Sequence, residues 1–343
     1  MTTHQLSSGD LTADRRAHYA RLYSESGDLA AAADLQRQAL ELAPGWAAGW
    51  YQLGLYCEKS GDANGAADAF RETIRLAPAD IFGAGLKLSL AGLTETPATP
   101  PAEYVEALFD GYAERFDKAL IENLGYRVPE RLAGLVAEVA GADTQFARVV
   151  DLGCGTGLFG ERLRRASSWL EGYDLSQGML SVAAGKGIYD HLGQADISAG
   201  AEAAGLQAGP PADLVAAADV FAYFGDLSTA AALAAGMLKP GGLLAFTCEA
   251  GDDEIEWQLQ PSLRYCHSKA YLISLMEKAG LTVEKFERET IRCDKGEPIE
   301  GYLVIASRRQ AVAATIPQLA RGLMVGEQEP ASALSSAQPS RPN

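Results

Sequence analysis

The sequence predicts an α/β protein: a mainly parallel sheet of seven strands with an antiparallel pair at one edge, preceded by an all-α repeat region. Three observations carry this. From Arg148 onward, apolar runs alternate with helical stretches in a strand–turn–helix rhythm. Near the N-terminus, GDLAAAADLQRQALELAP (27–44) recurs as GDANGAADAFRETIRLAP (61–78), an offset of 34 residues from Gly27 to Gly61. A glycine-rich turn, VVDLGCGTGLFG (149–160), closes the first apolar run of the alternating region.

Taken in order, residues 1–14 are expected to be a flexible N-terminus and 15–92 a helical repeat domain. In the two copies Ala32/Ala66, Leu42/Leu76, Ala43/Ala77 and Pro44/Pro78 coincide. Small alanines let helices approach closely, and a proline cannot continue a helix, so each unit is a helix–turn–helix. Trp50, Leu53 and Gly54 fall in the first helix of the second unit. A degenerate helix over 81–92 is expected to cap the stack, since a terminal repeat must cover its apolar face. LTETPATPPAEY then holds three prolines, a stiff non-helical linker over 93–103. Beyond it two or three amphipathic helices are expected, with Tyr104, Leu108, Tyr112 and Phe116 as an aromatic stripe at helical spacing.

Within 104–309 the strands are read as ARVVDL, WLEGYD, HLGQAD, DLVAAAD and GGLLAFTCE. KAYLISLMEKAG is a helix, and LTVEKFERETIR with IEGYLVIASR are long alternating strands forming the edge pair. After Arg309, alanine, serine, proline and glutamine dominate, so 310–343 is expected to be a disordered tail.

Composition narrows the function. A net charge of −16 disfavours broad binding to nucleic acid. Five scattered cysteines without a CxxC pair, and four histidines without an HExxH arrangement, give no disulfide framework and no metal site. No signal peptide and no membrane span are read, so the expected location is cytoplasmic.

The glycine turn decides the ligand. Gly153, Gly155 and Gly157 alternate, unlike the GxGxxG of dinucleotide sites, and no Lys-Ser/Thr follows as in a P-loop. Asp151 directly before the turn would repel a pyrophosphate and suits a ligand carrying an ammonium and a sulfonium. Asp174 ends the second strand, where a carboxylate can accept ribose hydroxyls. Asp196 follows the third strand, placed for an adenine amino group with Ile197 beside the ring. A helix N-cap is the competing role for Asp196.

With these residues in place, the chain resembles the class I S-adenosylmethionine-dependent methyltransferases, a Rossmann-like family. VVDLGCGTG matches the first motif, YDLS the acidic second, and LKPGGLLAFT the turn before strand five. The front repeats, LFDGYAERFD and RYCHS…EGYLVIASR resemble predicted methyltransferases with N-terminal tetratricopeptide repeats. The resemblance covers roughly residues 15–309. It implies S-adenosyl-L-methionine as cofactor. Asp151, Gly153, Cys154, Gly155 and Gly157 would hold its methionine part, Asp174 and Leu175 the ribose, and Asp196 and Ile197 the adenine. Asp219 would line the methyl side, Tyr112 and Phe116 would form a lid, and Arg127 could pair with the cofactor carboxylate. On the carboxyl side of the sheet, His267, Tyr223 and Arg264 are the candidate catalytic residues. The implied reaction is an in-line methyl transfer to a small-molecule or protein acceptor, with the repeats engaging a partner or the substrate. A carboxylate acceptor would need an arginine, whereas a phenol, alcohol or amine would favour His267 as base. The rival class is a repeat-based adaptor whose methyltransferase fold binds cofactor without turnover.

Overall fold

The computed structural model describes residues 7–113, 117, 126–202, 205–294 and 296–310. All of them belong to one compact unit.

Two helical hairpins open it: α1 (Leu11–Glu25) with α2 (Leu29–Leu42), and α3 (Ala47–Ser60) with α4 (Ala63–Leu76). The aspartate of each Gly-Asp pair is a helix cap: Asp28 accepts from Ala31 N and Asp62 from Gly65 N. Ala32 and Ala66 are both buried in the hairpin core beside Leu53 and Phe70. At Gly54 a side-chain methyl would stand 2.4 Å from the Phe70 ring, so only glycine lets α3 meet α4 there. The capping helix is shorter than expected, α5 (Ala84–Leu90), because Asp80 starts it late by accepting from Ala84 N at 2.7 Å and Gly85 N at 2.8 Å.

The proline-rich stretch is not a free spacer. Pro97 O accepts from the Tyr265 hydroxyl at 2.7 Å, and Ala98 O accepts from Gly225 N at 2.8 Å and Asp226 N at 3.1 Å. After it, α6 (Ala102–Asp110) ends before the expected aromatic stripe can run its length. Tyr104 is buried, but Leu108 and Tyr112 are 40% and 43% exposed, and Phe116 lies outside the described residues. The helix turns Val105 and Phe109 inward instead, one position along from Tyr104 and Leu108.

The sheet begins β3 (His191–Gln194), β2 (Ser167–Asp174), β1 (Phe146–Leu152), β4 (Ala212–Ala217), β5 (Leu238–Ala250), all parallel. The edge pair follows: β9 (Glu297–Arg308) runs antiparallel to β5, and β8 (Leu281–Asp294) antiparallel to β9. Among the described residues the sheet has nine strands rather than seven. The additional two are β6 (Trp257–Leu259) and β7 (Tyr265–His267), an antiparallel hairpin joined to the last residues of β5. Three residues per strand are too few to show a period-two pattern. Helices α7 (Val128–Ala140), α8 (Leu158–Leu163), α9 (Gln177–Lys186), α10 (Ser228–Met237) and α11 (Lys269–Lys278) complete the α/β unit, with apolar cores on both sheet faces. Among the described residues no helix is long and apolar enough to cross a membrane. Apart from Gln310, the expected tail lies outside the described residues.

Candidate active site

Ligand crevices in open parallel sheets form beyond the carboxyl ends of the strands. Here a cleft with about 1040 Å³ of atom-free space, its mouth included, lies over the ends of β1, β2 and β4. The glycine turn forms one wall. Gly153 has φ +65, and a methyl there would sit 2.4 Å from Val220, so the backbone passes the strand-four loop as only glycine can. Cys154 N donates to Tyr173 O at 2.9 Å, which ties the turn to β2. Gly157 stands behind the turn as the residue before α8 and does not line the cleft. The Cys154 thiol does line it, but burial pushes its pKa well up, which keeps it protonated.

Two carboxylates face the cleft, Asp151 buried and Asp174 half-buried. Asp174 accepts from Gly155 N and Ser176 N, each at 2.8 Å, so the strand end and the turn are locked together. Burial raises its pKa, although these backbone donors oppose the rise. Asp151 is 1% exposed; its Oδ2 accepts from the Tyr189 hydroxyl at 2.7 Å, and among the described residues its buried Oδ1 has no partner. Burial pushes Asp151 up to about 7, the Asp174 charge adds to this, and the Tyr189 hydrogen bond opposes it. Leu175, Asp196 and Ile197 also line the cleft. Asp196 accepts from Ser198 N at 2.9 Å through one oxygen, so capping occupies only part of its carboxylate.

Helix α6 lies across the mouth, with Val105 and Phe109 lining the cleft beside Tyr126. Its last residue, Asp110, accepts from Ser176 Oγ at 2.6 Å and Gly178 N at 3.0 Å, fastening it to the start of α9.

The other end of the cleft is ionic. Asp219, after β4, holds a left-handed backbone (φ 60) that strains a non-glycine residue. Its carboxylate meets Arg292 Nη1 of β8 at 2.7 Å, and Arg292 Nη2 pairs with Glu249 of β5. Burial raises the Glu249 pKa, with Arg292 and Arg264 opposing. Arg264 stands 4.0 Å from Glu249, donates from Nε to the Tyr223 hydroxyl at 3.0 Å, and lines the cleft together with Tyr223. Phe109 packs edge-on to Tyr223 at 5.2 Å.

Several expected residues stand elsewhere. His267 does not line the cleft: it is fully buried, stacked on Tyr271 at 5.9 Å, with Nε2 at 3.0 Å from Gly225 O. A carbonyl only accepts, so Nε2 carries the proton. Burial holds the ring down to about 4, which makes it a neutral post under the 223–225 turn. Arg127 is exposed before α7, and Tyr112 follows α6 away from the cleft wall. Sequence reading missed Phe109, Tyr126, Tyr189, Glu249 and Arg292. Glu249 was within reach of it, since it ends a parallel strand as Asp174 does. Arg292, Tyr126 and Tyr189 carry no local signal.

Sheet order, glycine turn and paired strand-end carboxylates agree with the α/β methyltransferase domain that the sequence motifs lead one to expect. Residues 124–285 match the methyltransferase domain model, and 13–45 and 47–80 match the tetratricopeptide repeat model. Residues 124–285 therefore make up a methyltransferase-type domain that stands behind two tetratricopeptide repeats. It is 39% identical over 108 residues to a malonyl-acyl-carrier protein O-methyltransferase from Enterobacter lignolyticus, a stretch that is 32% of this chain and 41% of that one. Similar solved structures include a Synechocystis magnesium protoporphyrin IX methyltransferase with bound cofactor, at 20% identity and TM-score 0.39 over 53% of this chain and 77% of that one. Another is an S-adenosylmethionine-dependent methyltransferase from Clostridium acetobutylicum, at 19% identity and TM-score 0.43 over 60% of this chain and all of that one.

Proposed function

We propose that this protein transfers the methyl group of S-adenosylmethionine to a carboxylate-bearing acceptor, small or protein-borne, seated beside Arg264 and Tyr223. The observation that carries this reading is Arg264. It lines the cleft, spends Nε on Tyr223, and among the described residues its Nη2 has no hydrogen-bond acceptor. A guanidinium suits a planar carboxylate. A carboxylate acceptor needs no proton removed, and among the described residues no histidine lines the cleft. The likeness to a protein named for O-methylating malonyl-acyl-carrier protein points to the same acceptor class.

The cleft fits the cofactor. Asp151 Oδ1, buried and unpartnered, is an acceptor awaiting a cation such as the ammonium of the amino-acid part. Gly153 to Gly155 offer bare backbone beside it. Asp174 and Leu175 would take the ribose, and Asp196 with Ile197 the adenine. When bound, the cofactor supplies an electrophilic methyl group on a sulfonium. The chain itself orients: Arg264 and Tyr223 hold the acceptor, Asp219 is fixed by Arg292, and Phe109 with Tyr126 excludes water. In this reading residues 15–92 serve partner or substrate interaction and 104–309 the transfer.

The test is methyl-labelled cofactor with the full chain, offered lysate fractions and a defined carboxylate, the malonyl thioester of N-acetylcysteamine. Label is expected in a base-labile methyl ester and is lost in Arg264→Ala. Label that enters only base-stable amines or thioethers overturns the carboxylate assignment.

A further inference from the structure

We propose that the repeat region buttresses the acceptor end of the cleft from behind, and that Tyr265 is the positioning residue that carries its hold to Arg264 and Tyr223. The inference rests on the acceptor reading above and adds what fixes that arginine in place.

Arg264 stands between two residues that face away from the cleft. Leu263 and Tyr265 share one apolar cluster with Leu86 of the capping helix α5 and Tyr104 of α6. Leu263 adopts a left-handed backbone, φ 61, at a buried leucine. Such strain persists only where surrounding packing fixes it, and here the packing partners include α5. Tyr265 is fully buried, and its hydroxyl reaches the carbonyl of Pro97 at 2.7 Å, in the segment joining the repeats to α6.

The same segment holds the other half of the clamp. Ala98 O receives Gly225 N and Asp226 N, just after Tyr223. A methyl on Gly225 would stand 2.6 Å from Trp257 and 3.0 Å from Tyr265, so the turn lies directly on the β6–β7 hairpin. Arg264 and Tyr223, bonded to each other at 3.0 Å, are therefore each anchored within two residues to the 97–98 backbone. The cofactor carboxylates are held by the sheet-end turns themselves, Asp151 by Tyr189 and Asp174 by Gly155 and Ser176, and among the described residues the 97–98 segment reaches them only along the length of α6, through Asp110 and Ser176. Disturbing the repeats should loosen the acceptor side and spare the cofactor side.

The experiment uses the full chain with Tyr265→Phe, which keeps the ring and deletes the hydroxyl, and Leu86→Val, which trims the contact inside the repeat region. With the malonyl thioester as acceptor, KM should rise about fivefold in Tyr265→Phe, the worth of one neutral hydrogen bond. The cofactor Kd and kcat should stay within twofold. A second readout needs no acceptor: the rate of phenylglyoxal labelling at Arg264, relative to exposed Arg165, should rise in both variants. Unchanged labelling in both variants overturns the inference, and so does a change confined to Tyr265→Phe, because the repeats would then play no part. If Arg264→Ala leaves the acceptor KM unchanged, the carboxylate reading fails, while the labelling result still decides whether the repeats hold this arginine.

Discussion

Cofactor affinity should depend steeply on pH through Asp151. The carboxyl sits at about 7 because burial strips its hydration, with Asp174 close by. In the ligand-free protein it is therefore protonated through the mildly acidic range, yet an ammonium-bearing ligand needs it ionised. Apparent affinity scales with the ionised fraction, so Kd varies as 1 + 10^(7 − pH). Between pH 7.5 and pH 5.5 this amounts to roughly a 25-fold weakening. The window stops at 7.5 because an α-amino group itself loses its proton near 8. Binding near pH 6 should also release about one proton, which calorimetry in buffers of different ionisation enthalpy reads directly.

The same shift has a stability consequence of opposite sense. A carboxyl with a raised native pKa stabilises the fold fully below its ordinary value of 3.8, and that contribution is lost as pH rises toward about 7. The whole span is worth at most about 4 kcal/mol. Bound cofactor should restore it, so ligand-induced stabilisation should grow from pH 5.5 to 7.5. In Asp151→Asn both pH dependences should vanish and affinity at pH 7.5 should fall. A wild-type Kd that varies less than about threefold across the window, or binding near pH 6 without proton release, would refute the reasoning.

Two more perturbations probe the acceptor side. Arg292→Met leaves Glu249 and Asp219 facing each other without their shared cation; breaking a buried pair in this way costs about 3–5 kcal/mol, readable by denaturant titration. His267→Gln keeps a donor for Gly225 O, so kcat at saturating cofactor should stay within about threefold; a loss of 100-fold or more would make the histidine a base after all.

What the sequence made legible follows contiguity. Asp151 and the alternating glycines lie in one short stretch, and Asp174 and Asp196 end successive strands, so chain order alone brings them to one rim. The repeats were legible for the same reason, since each unit buries its alanines against its neighbour in sequence. Legibility failed where contacts join distant segments. Arg292 and Glu249 lie 43 residues apart and meet only because β8 and β5 flank the same β9. The aromatic stripe failed differently, because α6 ends at Asp110, where its carboxylate is taken by the start of α9. His267 was misplaced by an unseen hairpin: a chain entering α11 directly from β5 would put it at the rim, whereas β6 and β7 fold it beneath the 223–225 turn.

These failures share a cause that bears on function. The half of the cleft assigned to the cofactor is made of local turns that form wherever this motif folds. The half assigned to the acceptor is assembled from the 97–98 segment with α6, the β6–β7 hairpin and the edge strands, three separate stretches of sequence. Changes in any of those elements can reshape the acceptor end without touching Asp151 or Asp174. On the proposed reading, substrate choice is carried by long-range packing around Arg264, and the repeat region is part of that packing.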